Sequence, residues 1–286
     1  MLFKVAVVCF FVQLASASIE CEGSSVNEDG FVKSPQKNKA GLGEFPWAVA
    51  LFKKDAAKPH CAGAIIGEST ILTTAFCVNQ IANPSDLIIR AGLWDLNRTS
   101  FEGYQMQQKV ASVIKSHPKY TSPDPIENDI AVVHLSLPLK LGGHIQKVCL
   151  DDGSQKVSTK ECFGTGWGAE SYETQGELSQ YLKKVQMDRV EHGTCEKQLR
   201  TALKKESFNL SENFFCAGGF ENDLCIGDSG APFVCPVEGN GKKFFYLSGL
   251  SSHGVKCFTE TPGVYTDVAK FADWIREQTK EVPAEN

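Results

Sequence analysis

The segment Gly227-Asp228-Ser229-Gly230 has the composition of a turn that presents a serine side chain for nucleophilic attack. Glycine residues near Ser229 let the backbone approach a bound molecule closely. The backbone N–H groups of Gly227 and Ser229 can then converge on an oxyanion as it forms. Taken alone, these four residues could also form a simple turn, so the surrounding segments decide between the two interpretations.

The N-terminal segment predicts secretion. MLFK supplies a short positive region, VAVVCFFVQL is an apolar core too short to span a bilayer, and ASAS offers small residues for cleavage. We therefore expect residues 1–17 to be a signal peptide, with a membrane anchor as the alternative. Residues 18–40 are polar and are predicted to form a flexible leader. The mature product is expected to be extracellular.

The cysteine count supports an oxidising compartment. Of eleven cysteines, Cys9 lies in the signal segment, and the even number that remains predicts disulfides. A zinc site is the alternative, but no Cys-x-x-Cys or His-x-x-x-His spacing supports it, so no metal or other cofactor is predicted.

The sequons at Asn97 and Asn209 predict N-glycosylation. A net charge of -5 without a cluster of basic residues argues against a nucleic-acid or membrane-surface partner.

Short apolar runs of strand length recur from Phe45 onward and alternate with turn clusters such as NPSD, TSPDP and EGNGKK. Many short strands without long helices between them indicate an all-β sandwich or barrel. One helix is predicted within VAKFADWIREQ, where apolar residues from Val268 to Ile275 follow helical spacing. Asp267 or Thr266 is expected to be its N-cap.

The order of several motifs resembles the chymotrypsin/trypsin-like serine protease family, peptidase S1. The resemblance runs from about Gly43 to Ile275, and the matching segments in chain order are GEFPWAVAL, HCAGAIIGESTILTTAFC, NDIAVVHL, CFGTGWG, CIGDSGAP, LSGLSSHG and TPGVYTDV. It implies an all-β fold of two six-stranded antiparallel β-barrels with a C-terminal α-helix and a cleft between the barrels. The protease-like domain would span residues 41–280, followed by a tail at 281–286.

The resemblance also implies roles for individual residues. Asp129 corresponds to the acid of the catalytic triad, Ser229 to the nucleophile and Gly227 to an oxyanion-hole donor, while Ser252 supports the acid. The implied disulfides are Cys61–Cys77, Cys162–Cys235, Cys195–Cys216 and Cys225–Cys257, with Cys21–Cys149 linking the leader to the body.

The substrate-binding pocket is implied by the same resemblance. Asp223 matches a pocket floor that selects arginine or lysine, and Gly254 and Lys256 lie at the pocket's edge. Lys256 replaces a glycine, so its ammonium is predicted either to pair with Asp223 and plug the pocket or to point to solvent.

The residue at the position of the triad base differs from the one that the family has there. Residues 73–77 read TTAFC where the family has Thr-Ala-Ala-His-Cys, so Phe76 replaces the histidine. A phenyl ring cannot take the proton of Ser229, and losing this base costs about 10⁶ in kcat. We expect Phe76 to pack beside Cys61–Cys77 and fill the vacated space. His60 and His253 are expected to be solvated residues at the cleft rim rather than replacement bases.

The activation segment departs as well. In the family, cleavage creates an Ile-Val-Gly-Gly terminus whose ammonium pairs with the aspartate before the nucleophile, here Asp228. The equivalent window is 34–37, with cleavage after Lys33, and the resulting Ser-Pro terminus lacks the aliphatic side chain that fills the activation pocket. We therefore expect Asp228 to lack its usual partner and the oxyanion hole not to be stably formed.

These departures predict a secreted, catalytically inactive serine protease homologue that acts by binding an extracellular protein or a microbial surface. The chain resembles arthropod plasma homologues that act in innate immune cascades. Many of these carry an N-terminal clip domain, and a single cysteine before the body is too few for one. The alternatives are a weak trypsin-like endopeptidase and a decoy that titrates protease inhibitors.

Overall fold

The computed structural model describes residues 24–25, 31–34, 36, 38–173, 177–239 and 242–280. The expected signal peptide, Cys21 and the tail at 281–286 lie outside the described residues.

The first half of the chain forms a closed barrel, in the order β1-β2-β3-β8-β7-β4, beside a two-stranded ribbon of β5 and β6. Strand β4 shows why the barrel forms, because Leu87, Ile89 and Ala91 are buried while Ile88 and Arg90 between them are only half-buried. Its strands are β1 Ala48–Lys53, β2 Cys61–Gly67, β3 Thr70–Thr73, β4 Leu87–Ala91, β5 Ser100–Phe101, β6 Tyr104–Gln105, β7 Gln107–Ser116 and β8 Ala131–Leu135.

The second half forms one curled sheet. Its strands are β9 Cys149–Leu150, β10 Cys162–Gly166, β11 Lys183–Met187, β12 Arg189–Val190, β13 Phe214–Ala217, β14 Pro232–Gly239, β15 Lys242–His253 and β16 Gly263–Asp267. The order is β11-β10-β14-β15-β16-β13-β12, with β9 parallel to β15. Its two end strands are consecutive in the chain and only Asp188 separates them, so the sheet curls back on itself. The fold is trypsin-like, as the resemblance implies.

Three helices are present among the described residues: α1 Ala75–Val78, α2 His192–Leu203 and α3 Ala272–Thr279. Helix α3 begins within the predicted helical segment, ends one residue beyond it, and is preceded by a 3₁₀ turn, Val268–Phe271, which Asp267 caps. A second 3₁₀ turn spans Pro84–Asp86.

Helix α2 corrects the expectation of a single helix. Only Cys195 and Leu199 of α2 are buried, so the apolar stripe is too narrow to be recognised from periodicity. The Glu191 carboxylate caps the helix by accepting the N–H groups of Gly193 and Thr194. The disulfide Cys195–Cys216 anchors the helix to β13.

The described parts of the leader pack against the body, which differs from the flexible segment that composition predicts. Ser24 is buried, forms a bridge with Phe245, and its Oγ accepts the N–H of Cys149 at 2.9 Å. Phe31 stacks on Tyr104 with ring centroids 5.0 Å apart.

The described residues contain four disulfides, which are the same four pairs that the resemblance implied within the body: Cys61–Cys77, Cys162–Cys235, Cys195–Cys216 and Cys225–Cys257. Cys149 is also disulfide-bonded, and Cys21, its expected partner, lies outside the described residues.

None of the helices in the described ranges has the length and apolar character needed to cross a bilayer.

Candidate active-site cleft and specificity pocket

The turn that carries Ser229 lies against the first barrel. Ala62 in β2 donates its N–H to the carbonyl of Ser229 at 2.8 Å. Gly230 has a φ of +77°, and a Cβ added there would lie 2.3 Å from the carbonyl oxygen of Ala62 and 2.4 Å from Oγ1 of Thr73. Only glycine fits this contact, so the sequence around Ser229 is set by the close approach of the two halves of the fold.

The N–H groups of Gly227 and Ser229 have no internal hydrogen-bond partner among the described residues, whereas the N–H groups of the neighbouring Asp228, Gly230 and Ala231 are all bonded. Gly227 has a φ of +95°, a conformation that favours glycine. Two unpaired backbone donors beside Ser229 are suited to hold an oxygen atom of a bound segment.

The Asp129 carboxylate is fully hydrogen-bonded without an imidazole. Its Oδ1 accepts the backbone N–H of Phe76 at 2.8 Å, and its Oδ2 accepts the hydroxyl of Ser252 at 2.6 Å. Burial raises the pKa of Asp129, and these hydrogen bonds oppose the rise. The structure thus brings Asp129 and Ser252 together as the resemblance implied, but no imidazole connects them to Ser229.

The Phe76 ring does not fill a space in the interior. It is 52% exposed, which corrects the expectation that it fills the space vacated by the histidine. The reason is local: Ala75 and Cys77 on either side are buried in the barrel, so α1 directs the residue between them outward. Phe76 is therefore an exposed apolar side chain at the rim of the cleft.

The two candidate replacement histidines are partly buried, and each contacts a neighbouring group. Nε2 of His60 lies 3.0 Å from the carbonyl of Cys77, and burial lowers the pKa of His60. His253 packs edge-on against Phe214, its Nδ1 lies 2.9 Å from the Ser252 hydroxyl, and burial lowers its pKa to about 4. Among the described residues, no hydrogen bond joins a histidine to Ser229.

Asp228 has a cation partner that is not the N-terminal ammonium of the family. Nζ of Lys183, the first residue of β11, lies 2.6 Å from Oδ2 of Asp228. The two side chains are 5% and 0% exposed. Sequence reasoning considered only a new N-terminus as the source of an ammonium and missed Lys183. The available sequence signal was its spacing, because Lys183 and Met187 lie on one face of β11 and both are buried.

A pocket with a volume of about 320 Å³ opens beside Ser229. Asp223 lies at its base and is 2% exposed. One carboxylate oxygen accepts the N–H of Phe258 at 3.2 Å, and the other is buried without a hydrogen-bond partner. Burial raises the pKa of Asp223 to about 7. An unsatisfied buried carboxylate in a cavity of this size favours a cationic side chain as the occupant.

Lys256 does not plug this pocket. Its Nζ lies over the ring of Tyr172, 4.9 Å from the centroid, in a cation–π contact at the pocket wall. The hypothesis that Lys256 pairs with Asp223 is therefore wrong, because the aromatic ring holds the ammonium elsewhere. Tyr172 is a pocket residue that the sequence motifs did not reveal.

The pocket wall also contains Gly254, Ser252 and the exposed side chains of Ile226 and Val255. Ile226 lies just before Gly227, and Cys77 of α1 approaches Gly230 on the other side of Ser229. Phe76, Ile226 and Val255 thus present exposed apolar surface near the serine turn.

Comparison with known proteins agrees with this geometry. Residues 35–275 match the family described as Trypsin. The chain is 32% identical to Phenoloxidase-activating factor 2 of Galleria mellonella, with 90% of this chain and 88% of that protein aligned. It is 32% identical to Inactive CLIP domain-containing serine protease A28 of Anopheles gambiae, covering 92% and 68% of the two chains. A second Anopheles gambiae protein, Inactive CLIP domain-containing serine protease A8, is 30% identical, with 87% and 69% covered. The chain therefore belongs to the trypsin family.

Proposed function

We propose that the protein is a secreted serine protease homologue that does not hydrolyse peptide bonds and acts by binding another extracellular protein. The observation that carries this proposal is the Asp129 carboxylate, which is bonded to the backbone of Phe76 and to Ser252 with no imidazole between it and Ser229. Without a base, the Ser229 hydroxyl remains a neutral alcohol and a poor nucleophile.

The retained parts of the cleft support binding. Asp223 offers an unpaired carboxylate oxygen at the end of the pocket, and Gly227 and Ser229 offer two unpaired N–H groups at its mouth. The ligand that fits is an extended protein segment with a lysine or arginine side chain in the pocket. Phe76 and Ile226 near the serine turn are exposed, so apolar side chains beside this basic residue would increase the contact.

The names of the relatives support a place in a proteolytic cascade of innate immunity, since they include a phenoloxidase-activating factor and two proteins called inactive serine proteases. In this role the protein would regulate a protease or zymogen by binding a segment of that partner in its own cleft.

Asn97 and Asn209 are both exposed, which supports their use as N-glycosylation sites on a secreted protein. Lys33 is exposed too, which supports cleavage after it.

The Ser229→Ala variant is expected to behave like the wild-type chain. Both should bind p-aminobenzamidine with the same Kd, measured by fluorescence, because the amidine contacts Asp223 and not the serine hydroxyl. Both should hydrolyse an arginine p-nitroanilide only at the uncatalysed rate. Turnover by the wild-type chain that disappears in Ser229→Ala would establish the alternative function, a weak trypsin-like endopeptidase.

The same pocket favours one further candidate, a decoy for protease inhibitors. An inhibitor loop that carries a basic residue has the chemistry that Asp223 and the two N–H groups accept. Native mixing with a Kunitz-type inhibitor tests this candidate, and the absence of a complex at micromolar concentration would exclude inhibitors of that class.

A further inference from the structure

We infer that Lys183 takes the place of the ammonium that activation cleavage supplies in active relatives, so that the cleft is organised in the uncut chain. The binding readout of this inference rests on the function proposed above, and a second readout does not. Lys183 is a positioning residue here: it acts on the cleft through Asp228.

The position of the lysine ammonium is fixed by two contacts. Nζ of Lys183 donates to Oδ2 of Asp228 at 2.6 Å and to the carbonyl oxygen of Ala169 at 3.0 Å. Both charged side chains are buried, and a buried pair persists only where such further hydrogen bonds complete it. The hydrogen bond to Ala169 therefore helps to stabilise this ammonium in its buried position.

The Asp228 carboxylate, which the ammonium holds in place, in turn accepts backbone N–H groups around the turn that carries Ser229. Its Oδ1 accepts the N–H of Gly168 at 2.7 Å, and its Oδ2 accepts the N–H of Cys225 at 2.9 Å. A Cβ on Gly168 would lie 2.5 Å from the Asp228 carboxylate, so the glycine makes room for it. One carboxylate thus ties the segment after β10 to the residues that precede Ser229.

Main-chain hydrogen bonds of the same turn help to shape the mouth of the pocket. Ala169 donates its N–H to the carbonyl of Ile226 at 2.8 Å, and Asp228 accepts the N–H of Ala231 through its main-chain carbonyl at 2.9 Å. The N–H groups of Gly227 and Ser229 beside these bonds have no internal partner among the described residues. An uncompensated charge on buried Asp228 would disrupt this arrangement.

Other nearby lysines do not supply the charge. Lys39 is buried next to β11, but its Nζ lies 2.5 Å from Glu170 and 2.8 Å from the Ser179 hydroxyl. Lys184 pairs with Glu44 at 2.5 Å. Lys183 is thus the cation that contacts Asp228 in the described part of the chain.

The consequence is that cleavage after Lys33 is not coupled to formation of the cleft. Ser34, the residue that would become the new terminus, donates its hydroxyl to the carbonyl of Gln36 at 2.9 Å in an exposed local turn. Asp228 is already paired with Lys183, so the ammonium of a new N-terminus would find no unpaired carboxylate at this position.

The test compares the full-length uncut chain with Lys183→Met, and uses Lys184→Met as a matched control on the same strand. Hydrogen exchange of residues 225–230 reports the turn, exchange of β1 reports global folding, and p-aminobenzamidine reports the pocket. We expect the uncut wild type to bind the probe and protect the turn, and cleavage after Lys33 to leave both unchanged. Lys183→Met should weaken binding by about 10-fold or more and accelerate exchange only in the turn, whereas Lys184→Met should not.

A second variant covers the case in which Lys183→Met does not fold. Lys183→Met with Asp228→Asn leaves no unpaired buried charge, so it should fold while the turn exchanges faster and the probe binds more weakly. If the wild-type turn is protected before cleavage but the probe does not bind, the Lys183 inference holds and the proposed use of the pocket fails. The inference is overturned if the turn becomes protected only after cleavage, or if both variants that lack Lys183 match the wild type.

Discussion

The Phe76→His variant is expected to hydrolyse an arginine amide substrate at least about 10²-fold faster than the wild-type chain, without prior cleavage at Lys33. Loss of the triad base costs about 10⁶ in kcat, so restoring it recovers a large factor if the other groups are in place. They are in place here: the backbone of residue 76 is already held by Asp129 at 2.8 Å, so a histidine side chain would start beside this carboxylate. Lys183 holds Asp228, which organises the serine turn.

Two controls separate base chemistry from a change in cleft shape. Phe76→Leu alters the exposed ring without adding a base and should remain inactive. Phe76→His combined with Ser229→Ala should lose whatever rate Phe76→His gains. If Phe76→His hydrolyses the substrate no faster than Phe76→Leu, then Asp129, Ser229 and the two N–H groups are not arranged for catalysis, and the inferred organisation of the cleft is wrong.

The Asp223→Asn variant is expected to lose about 10²-fold in p-aminobenzamidine affinity at pH 8, since removing one member of a buried charged contact costs about 2–5 kcal/mol. The wild-type affinity should itself depend on pH. Burial raises the pKa of Asp223 to about 7, and only the ionised carboxylate attracts the amidinium. Affinity should therefore rise as the pH increases through 7, and Asp223→Asn should show no such rise. A flat wild-type profile between pH 5.5 and 8.5 would contradict the assignment of Asp223.

The same substitution should raise thermal stability at high pH. A carboxyl whose folded pKa is about 7, above its unfolded value of about 3.9, stabilises the fold fully only below the unfolded value. That contribution is lost as the pH rises through 7, because the buried group must then carry a charge without a partner. The difference in Tm between Asp223→Asn and the wild type should therefore widen in favour of the variant from pH 5 to pH 8.5. If the variant and the wild type have equal Tm values at both pH 5 and pH 8.5, ionisation of Asp223 does not destabilise the fold.

The parts of the site that sequence predicted are those fixed by local motifs. Ser229 and Gly230 lie in a turn whose shape demands glycine, and the pairing of Asp129 with Ser252 follows from two segments that match the family. The strands were recognisable because they are short apolar runs bounded by turn residues, as in β4, where four of the five residues are apolar. Helix α2 was missed because its buried stripe has only two residues.

The missed features depend on contacts between distant parts of the chain. Lys183 and Asp228 are 45 positions apart, and only the curl of the second sheet brings the ammonium to the carboxylate. The position of Lys256 depends on Tyr172, which belongs to no recognised motif. Phe76 was read as interior because it is apolar, but the burial of its two neighbours directs it outward. In each case the sequence gives the residue type, but it does not give the direction in which the side chain points.

Labelling of the uncut wild-type chain with a fluorophosphonate probe, followed by peptide mapping, tests directly whether Ser229 is a nucleophile. We expect no adduct on Ser229 under conditions in which Phe76→His is labelled completely, because the wild-type serine has no base to take its proton. Stoichiometric labelling of Ser229 in the wild-type chain would contradict the proposal that this member of the trypsin family binds without hydrolysing.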